Sequence, residues 1–247
     1  MGTPGTWPPH AALEALHARY VLEVVEELGL CPFARKCREL GRLHRPTFVV
    51  AEGVRAQDAA ERLAALVATH SDAEVVLLTF VTRGAAPGTP PGPTAQERDF
   101  ADPERFEEFT RELREAYGAL ARRERFYMVS FHPAFTQAGR RRALTQDSLV
   151  PLLRRTPDPV IQCIRAELLD QIRRQAQAAA DARFREEMAR MGPEFLAMAE
   201  RSIRPDPELS QDIARHNFTS VGAGEGRARL EATITEILAG RAALEAG

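Results

Sequence analysis

The segment from Glu74 to Val81 constrains the fold more than any other part of the chain. Its residues, Glu-Val-Val-Leu-Leu-Thr-Phe-Val, form an almost continuous apolar run that is rich in β-branched side chains. Such a run is typical of a strand that is buried on both faces, whereas a half-exposed strand alternates apolar and polar residues. The segment therefore predicts a sheet that other elements cover on both sides.

Two further segments, Pro46 to Ala51 and Phe126 to Phe131, are predicted to be short strands. Apolar residues at helical spacing lie between the three strands, over Gln57 to His70 and behind the N-capping residue Asp102. This alternation of strands and helices favours right-handed crossovers. We therefore predict an α/β fold with flanking helices and a small, mainly parallel sheet of three strands or slightly more.

Helical patterns flank this region on both sides. Residues Ala11 to Leu28 keep helical spacing, and Gly29 is predicted to end that helix. Pro157-Asp158-Pro159 is predicted to begin a long helix whose core side carries Val160, Ile161, Ile164, Leu168 and Ile172. The chain then divides into a disordered N-terminus (1–10), an α/β core domain (11–175) and a helical C-terminal extension packed on or beside the core (176–247).

The nearly balanced charge of the chain limits the classes of partner. Lys and Arg total 33 and Asp and Glu total 35, so no basic field favours nucleic acid or an anionic membrane. No apolar run approaches the roughly 18 residues of a membrane span, and three cysteines are too few for a secreted disulfide framework. We therefore predict a soluble, cytoplasmic protein that binds neither nucleic acid nor membranes, with its oligomeric state left open.

The dipeptide Cys31-Pro32 is the first candidate for chemistry. If Pro32 begins a helix that runs to Leu40, Cys31 is the N-cap residue and faces unpaired backbone N–H groups at the positive end of the helix dipole. Arg35 and Lys36 lie one turn further on. This setting favours the thiolate, which attacks carbon or binds a metal. The alternative is a small, buried core cysteine, which is how Cys37 and Cys163 are interpreted.

A second candidate, His132-Pro133, follows the predicted strand that ends at Phe131. In α/β sheets ligands bind beyond the carboxyl ends of strands, and a histidine there is able to take the proton of a cysteine. The alternative is a histidine whose ring hydrogen bonds hold a turn. No Asp or Asn residue can be assigned as the third, orienting member of such a pair.

Arginines near residue 155 are candidates for anion binding. Arg154, Arg155 and Arg165 together resemble a fork for a carboxylate or phosphate, since arginine binds such groups in bidentate fashion. The alternative for Arg165 is a solvated helix face, and the run Arg140 to Arg142 is interpreted as an exposed patch. Residues 134–156 have no clean periodicity and are predicted to form a lid.

Three motifs in this order resemble the bacterial family known as domain of unknown function 1415. They are Leu28 to Ala34, Ser130 to Pro133 with Gln137 to Gly139, and Arg155 to Pro159 followed by Arg165. The resemblance covers roughly residues 11 to 175 and implies no particular reaction. It does imply that one site contains the residues Cys31, Pro32, His132, Pro133, Arg155 and Arg165.

The chain departs from this family pattern at two positions and in two segments, 85–96 and 173–200, which are interpreted as insertions. Asp158 replaces an aromatic residue, and Gln162 stands where many relatives carry histidine. If that histidine serves the family's chemistry, this chain is an altered or inactive member.

Three functional hypotheses follow. The leading one is an enzyme for a small anionic metabolite, with Cys31 and His132 as catalytic residues, Arg155, Arg165 and Gln137 as substrate-binding residues, and Pro32, Pro133 and Pro157 shaping the site. The second makes Cys31 the thiolate ligand of a haem or a transition metal, with His132 as a further metal ligand. The third is a non-enzymatic adaptor that meets a partner through a long polar helix over residues 173–190.

Overall fold

The computed structural model describes residues 10–31, 33–82, 94–120, 122–135, 146–192 and 216–246. These residues form an α/β fold with a five-stranded sheet, flanking helices and a C-terminal helix, which confirms the predicted fold class. The strands are β1 (Leu43–His44), β2 (Thr47–Val49), β3 (Val75–Val81), β4 (Phe126–Phe131) and β5 (Val160–Arg165).

Eight α-helices are described along the chain. They are α1 (His10–Arg19), α2 (Ala34–Glu39), α3 (Ala56–Thr69), α4 (Ala95–Ala101), α5 (Pro103–Ala119), α6 (Gln146–Leu153), α7 (Ala166–Met191) and α8 (Gly224–Ala246). A π-helical segment (Tyr20–Glu26) continues α1, and Gly29 follows it with a φ of 66°, a left-handed conformation that suits a residue without Cβ.

The sheet has mixed pairing. β1 and β2 together form one edge and both pair in parallel with β3, whereas β5 lies antiparallel between β3 and β4. Leu77, Gln162 and Val129 stand side by side in the central row of the three long strands. Since alternate residues point to opposite faces, these three side chains share one face.

The prediction of a long helix that begins at Pro157-Asp158-Pro159 is wrong for its first turns. Residues Val160–Arg165 form the antiparallel strand β5, and the helix begins only at Ala166. Adjacent apolar pairs such as Val160-Ile161 also fit a strand that is buried on both faces, and β-branched residues favour that conformation. The helix α7 then runs through the predicted boundary between residues 175 and 176.

One face of the sheet is tightly packed. Val76, Leu78 and Phe80 of β3 pack with α3 and α5, and all three are fully buried. The rings of Phe48, Phe106 and Phe109 lie with their centroids 5.1, 5.6 and 5.3 Å from the centroid of the Phe80 ring, respectively. The amphipathic pattern predicted for α3 and α5 therefore builds the main core, and Asp102 caps α5 as expected, accepting a hydrogen bond from Glu104 N.

The opposite face is covered by elements from both ends of the chain. Residues of α1, the π-helical segment, α6, the helical residues 216–221 and α8 form a second apolar cluster. Its buried members are Leu16, Tyr20, Val21, Val24, Leu149, Leu152, Val221, Leu230, Ile234 and Ile237. These helices do not fill the space above the sheet, and a cavity remains between them and the strands.

Within the described ranges, no helix is both long enough and apolar enough to cross a membrane. The predicted lid over residues 134–156 contains helix α6, whose Leu149 and Leu152 are buried. Residues 136–145 of that segment, and residues 1–9 of the predicted disordered N-terminus, lie outside the described residues.

Candidate ligand-binding cavity

A cavity of about 480 Å³ lies on the face of the sheet that is opposite α3 and α5. Its floor is the strands themselves, with side chains from three successive rows: Val75 and Ile164, then Leu77, Gln162 and Val129, then Thr79, Val160 and Phe131. Its volume lies in the usual range of small-molecule sites, which are concave and mostly apolar.

The walls of the cavity come from separate parts of the chain. α1 and the π-helical segment contribute His17, Tyr20, Val21 and Val25, and α6 contributes Leu149, Val150 and Leu153. The remaining lining residues are Leu30, Cys31, Phe33, Ala34, Leu43, Arg45, Arg154, Thr156, Leu169 and Arg173 of α7, and Asn217. Aliphatic and aromatic side chains predominate, so a bound molecule would lose much of its contact with water.

Several polar groups of the cavity lack a partner within the described chain. Asn217 is 7% exposed, and its Oδ1 is buried without a hydrogen bond, although its Nδ2 donates to Leu30 O at 3.4 Å. The side chains of Gln162 and Thr79 also line the cavity and make no hydrogen bond to the described residues. Unpaired polar groups in an apolar site favour a ligand or water that satisfies them.

The charged side chains that line the cavity are basic. Arg45, Arg154 and Arg173 line the cavity, whereas none of its described lining residues is acidic. Neither Arg45 nor Arg154 forms an ion pair with a described residue. Burial lowers the pKa of Arg154, and the carboxylate of Glu107 opposes this shift. The cavity is therefore suited to a negatively charged group.

A buried charged network lies at the end of the cavity beyond Thr79. His17 Nε2 donates to Asp158 Oδ2 at 2.9 Å, and Arg241 Nε lies 2.9 and 3.0 Å from the two carboxylate oxygens of Asp158. Arg241 Nη2 also donates to Thr82 O at 2.7 Å. Sequence analysis missed His17 and Arg241, because nothing in their local sequence shows that α1 and α8 meet at Asp158.

Cys31 lines the opposite end of the same cavity. Cys31 packs against the cluster that contains Val75 and Ile164, the first row of the floor, whereas His17 bonds to Asp158 at the end beyond Thr79. α2 begins at Ala34 with Phe33 as its N-cap residue, so Cys31 is not the N-cap residue, although its thiol faces the backbone N–H groups of Phe33 and Ala34. Pro32 lies outside the described residues.

The expected thiolate is not the resting form of Cys31. Burial raises the pKa of the thiol to about 11, although hydrogen bonds from the backbone N–H groups of Phe33 and Ala34 oppose the rise. The buried carboxylate of Glu26 adds to it, and Arg35 and Arg38 pair with Glu26 instead of supporting a thiolate. At neutral pH Cys31 is therefore a thiol.

Alkylation of Cys31 is expected to be slow. With a pKa of about 11 against an ordinary 9.0, the thiolate fraction at pH 8 is about a hundredfold lower than that of a free cysteine. Iodoacetamide labelling, followed by mass spectrometry of the Cys31 peptide, should show at least this reduction relative to N-acetylcysteine. The rate should rise with pH up to about 11; labelling at pH 8 faster than the free thiol would contradict this environment.

The structure does not bring Cys31 and His132 together. The His132 ring lies on the other face of the sheet, beside Phe106, where it is 1% exposed. Both ring nitrogens are occupied, because Nε2 donates to Phe100 O at 2.9 Å and Nδ1 accepts from Ala134 N at 3.0 Å. Because Nδ1 accepts a backbone N–H, the ring is neutral, and burial lowers its pKa in the same sense; the ring holds a turn, the alternative that sequence analysis left open.

The structure also does not bring Arg155 and Arg165 together, as the predicted fork requires. Arg155 Nε donates to Pro133 O at 3.2 Å beyond the carboxyl end of β4, whereas Arg165 pairs with Phe126 at the other end of that strand. Five residues of strand place them about 17 Å apart. Arg165 Nε donates to Ala73 O at 2.7 Å and its guanidinium lies over the Phe126 ring, whereas its Nη2 is buried without a hydrogen bond to the described residues.

The remaining predicted residues fall into three groups. Pro157 is buried beside Asp158, near the polar end of the cavity. Cys37 and Cys163 are buried at 1% and 0% exposure, as expected of core cysteines, and Cys37 Sγ donates to Glu74 Oε2 at 3.1 Å. Gln137 and Arg140 to Arg142 lie outside the described residues. No cluster of three or more His, Cys, Asp or Glu side chains suited to a metal ion occurs in the described ranges.

Comparisons of the chain with protein-family models, with curated proteins and with solved structures found no match. The family resemblance of the three motifs therefore stays a prediction, and the structure alone supports the functional argument.

Proposed function

We propose that the protein binds a small, elongated molecule with an apolar body and an anionic group in the cavity above the sheet. The observation that carries this proposal is the composition of the lining, which combines an apolar floor with three arginines and no acidic residue among its described members. An anion would gain charge-assisted hydrogen bonds from such arginines, while the apolar body would displace water from the strands.

The central row of the floor gives the ligand a further point of attachment. Gln162 presents an unpaired amide between the apolar side chains of Leu77 and Val129. A neutral amide both donates and accepts, so it is able to bind a hydroxyl, carbonyl or amide group part-way along the ligand. This position is where the family resemblance implies a histidine, and a histidine there would also face the cavity.

This proposal keeps the small anionic ligand predicted from the sequence and changes the chemistry around it. Cys31 stays a residue of the site, but His132 takes no part, because it lies on the other face of the sheet. The haem or metal alternative, with Cys31 as the thiolate ligand, stays a prediction. The adaptor hypothesis for residues 173–190 also stays a prediction.

Blocking the cavity with a larger side chain is expected to weaken ligand binding. The probe is 1-anilinonaphthalene-8-sulfonate, which has an apolar body and one anionic group and fluoresces when it leaves water. Val129→Trp places an indole on the cavity floor and should weaken probe binding at least about tenfold, a change of about 1.4 kcal/mol. The matched control is Tyr127→Trp, two residues earlier on β4, where the side chain is 46% exposed outside the lining.

Competitors then define the class of ligand. Decanoate should displace the probe, whereas decyltrimethylammonium should not, because the lining offers cations and no carboxylate. Haemin is added to the wild type and to Cys31→Ala; a Soret band that depends on Cys31 would identify haem as the ligand. Equal probe binding by both tryptophan variants, with unchanged near-ultraviolet circular dichroism, would contradict the proposal.

A further inference from the structure

We propose that His17 is a general base for the molecule bound in the cavity, with Asp158 as its positioning residue. This inference rests on the proposed function, because His17 needs a ligand in the cavity to act on. It assigns a proton-transfer site to a part of the chain that neither the sequence motifs nor the predicted Cys31 chemistry include.

The hydrogen bonds of His17 determine which ring nitrogen carries the proton. An ionised carboxylate only accepts hydrogen bonds, so the 2.9 Å contact with Asp158 Oδ2 places the proton on His17 Nε2. In the neutral ring the lone pair is then on Nδ1. Nδ1 makes no hydrogen bond within the described chain, and it is not fully buried. Since His17 lines the cavity, this nitrogen is open to it.

The surrounding contacts hold this arrangement in place. Asp158 is 2% exposed, and Arg241 bridges its two carboxylate oxygens. Thr156 Oγ1 donates to the backbone oxygen of Asp158 at 2.7 Å, and Arg241 is tied to Thr82 O beyond the end of β3. Because the carboxylate cannot rotate freely, the imidazole keeps one tautomer and one orientation, as the histidine of a catalytic base requires.

The cavity supplies the other conditions for proton transfer. Its apolar walls limit the access of water, so a base inside it is less solvated than imidazole in buffer. In the reaction a C–H or O–H bond of the ligand breaks, its proton moves to Nδ1, and the electron pair stays on the ligand. The imidazolium keeps its Nε2–H bond to Asp158, and the arginines of the lining are the residues able to stabilise the new anion.

The test uses a probe whose reaction needs only a base. 5-Nitrobenzisoxazole is small, flat and apolar; removal of its C3 proton forms a nitrile and breaks the N–O bond, which releases a coloured phenolate. The full-length protein should accelerate this elimination above the rate in imidazole buffer. His17→Gln keeps a donor to Asp158 but removes the base, so kcat/KM should fall at least about a hundredfold. His70→Gln, outside the cavity, is the matched control.

Asp158→Asn distinguishes positioning from a general structural effect. This variant should still bind the probe but lower kcat more than it changes KM, and it should shift the pH–rate profile. Nitrogen NMR of His17 in the unliganded wild type gives an independent measurement, with a protonated Nε2 and an unprotonated Nδ1 expected. A proton on Nδ1 would overturn the inference whatever the variants do.

Two failures have separate meanings. If the benzisoxazole displaces the anilinonaphthalene probe but reacts no faster than in buffer, or equally fast with His17→Gln, the general-base assignment is wrong and the binding proposal stands. If neither probe binds the wild-type protein, the proposed function is wrong and the inference falls with it.

Discussion

Replacing Arg241 by methionine is expected to lower the free energy of unfolding by about 3–5 kcal/mol, because it leaves a buried carboxylate without its cation. The Asp158 side chain is 2% exposed and that of Arg241 is 5% exposed, so water replaces little of the lost interaction. Urea unfolding followed by circular dichroism measures the change. Arg241→Met should also loosen α8, which otherwise packs through apolar contacts and through the exposed ion pairs of Arg229 with Glu27 and of Glu236 with Arg19.

Two further variants decide whether burial is the cause. Arg105→Met removes an ion pair with Glu108 in which both side chains are more than half exposed, and should cost at most about 1 kcal/mol. Combining Asp158→Leu with Arg241→Met removes both buried charges and should recover much of the loss. If Arg241→Met lowered the free energy of unfolding no more than Arg105→Met does, the result would contradict a stabilising role for the buried network.

Replacing Phe80 by alanine is expected to be equally damaging, at about 3–5 kcal/mol, because it opens a cavity in the packed face of the sheet. Phe80 is fully buried and four phenylalanine rings surround it, those of Phe48, Phe100, Phe106 and Phe109.

The matched control for this substitution is Phe131→Ala. Phe131 is also a strand phenylalanine, but it faces the existing cavity, where truncation only enlarges an open space. It should cost less than about 2 kcal/mol. The two thermal midpoints measured by calorimetry report the difference between the faces; equal losses would mean that the cavity face is as tightly packed as the core.

The sequence was sufficient for the elements whose apolar pattern has one interpretation. β3 is apolar throughout, and α3 and α5 keep a regular helical stripe, so their positions agree with the prediction within about two residues. β5 was assigned to a helix because Val160, Ile161 and Ile164 fit both periods. Only the pairing of this segment with both β3 and β4 decides between them, and such pairing is not visible locally.

The site was harder to predict than the fold. Cys31 does line the cavity, as its unusual Cys-Pro context indicated, yet burial outweighs the backbone hydrogen bonds that favour a thiolate. His132 follows a strand end as predicted. Successive side chains there point to opposite faces of the sheet, so a shift of one residue decides whether a side chain faces the cavity or the packed core. The network of His17, Asp158 and Arg241 joins residues up to 224 positions apart, so no local sequence pattern predicts it.

The meeting of α1 and α8 at Asp158 also fixes when the site is complete during synthesis. A growing chain makes His17 early and the strands of the floor next, but Asp158 lacks its cationic partner until Arg241 has left the ribosome. Until then the carboxylate must stay hydrated, which keeps the polar end of the cavity open to water. The nascent protein is therefore expected to acquire its sheet core before it acquires the ability to hold a ligand.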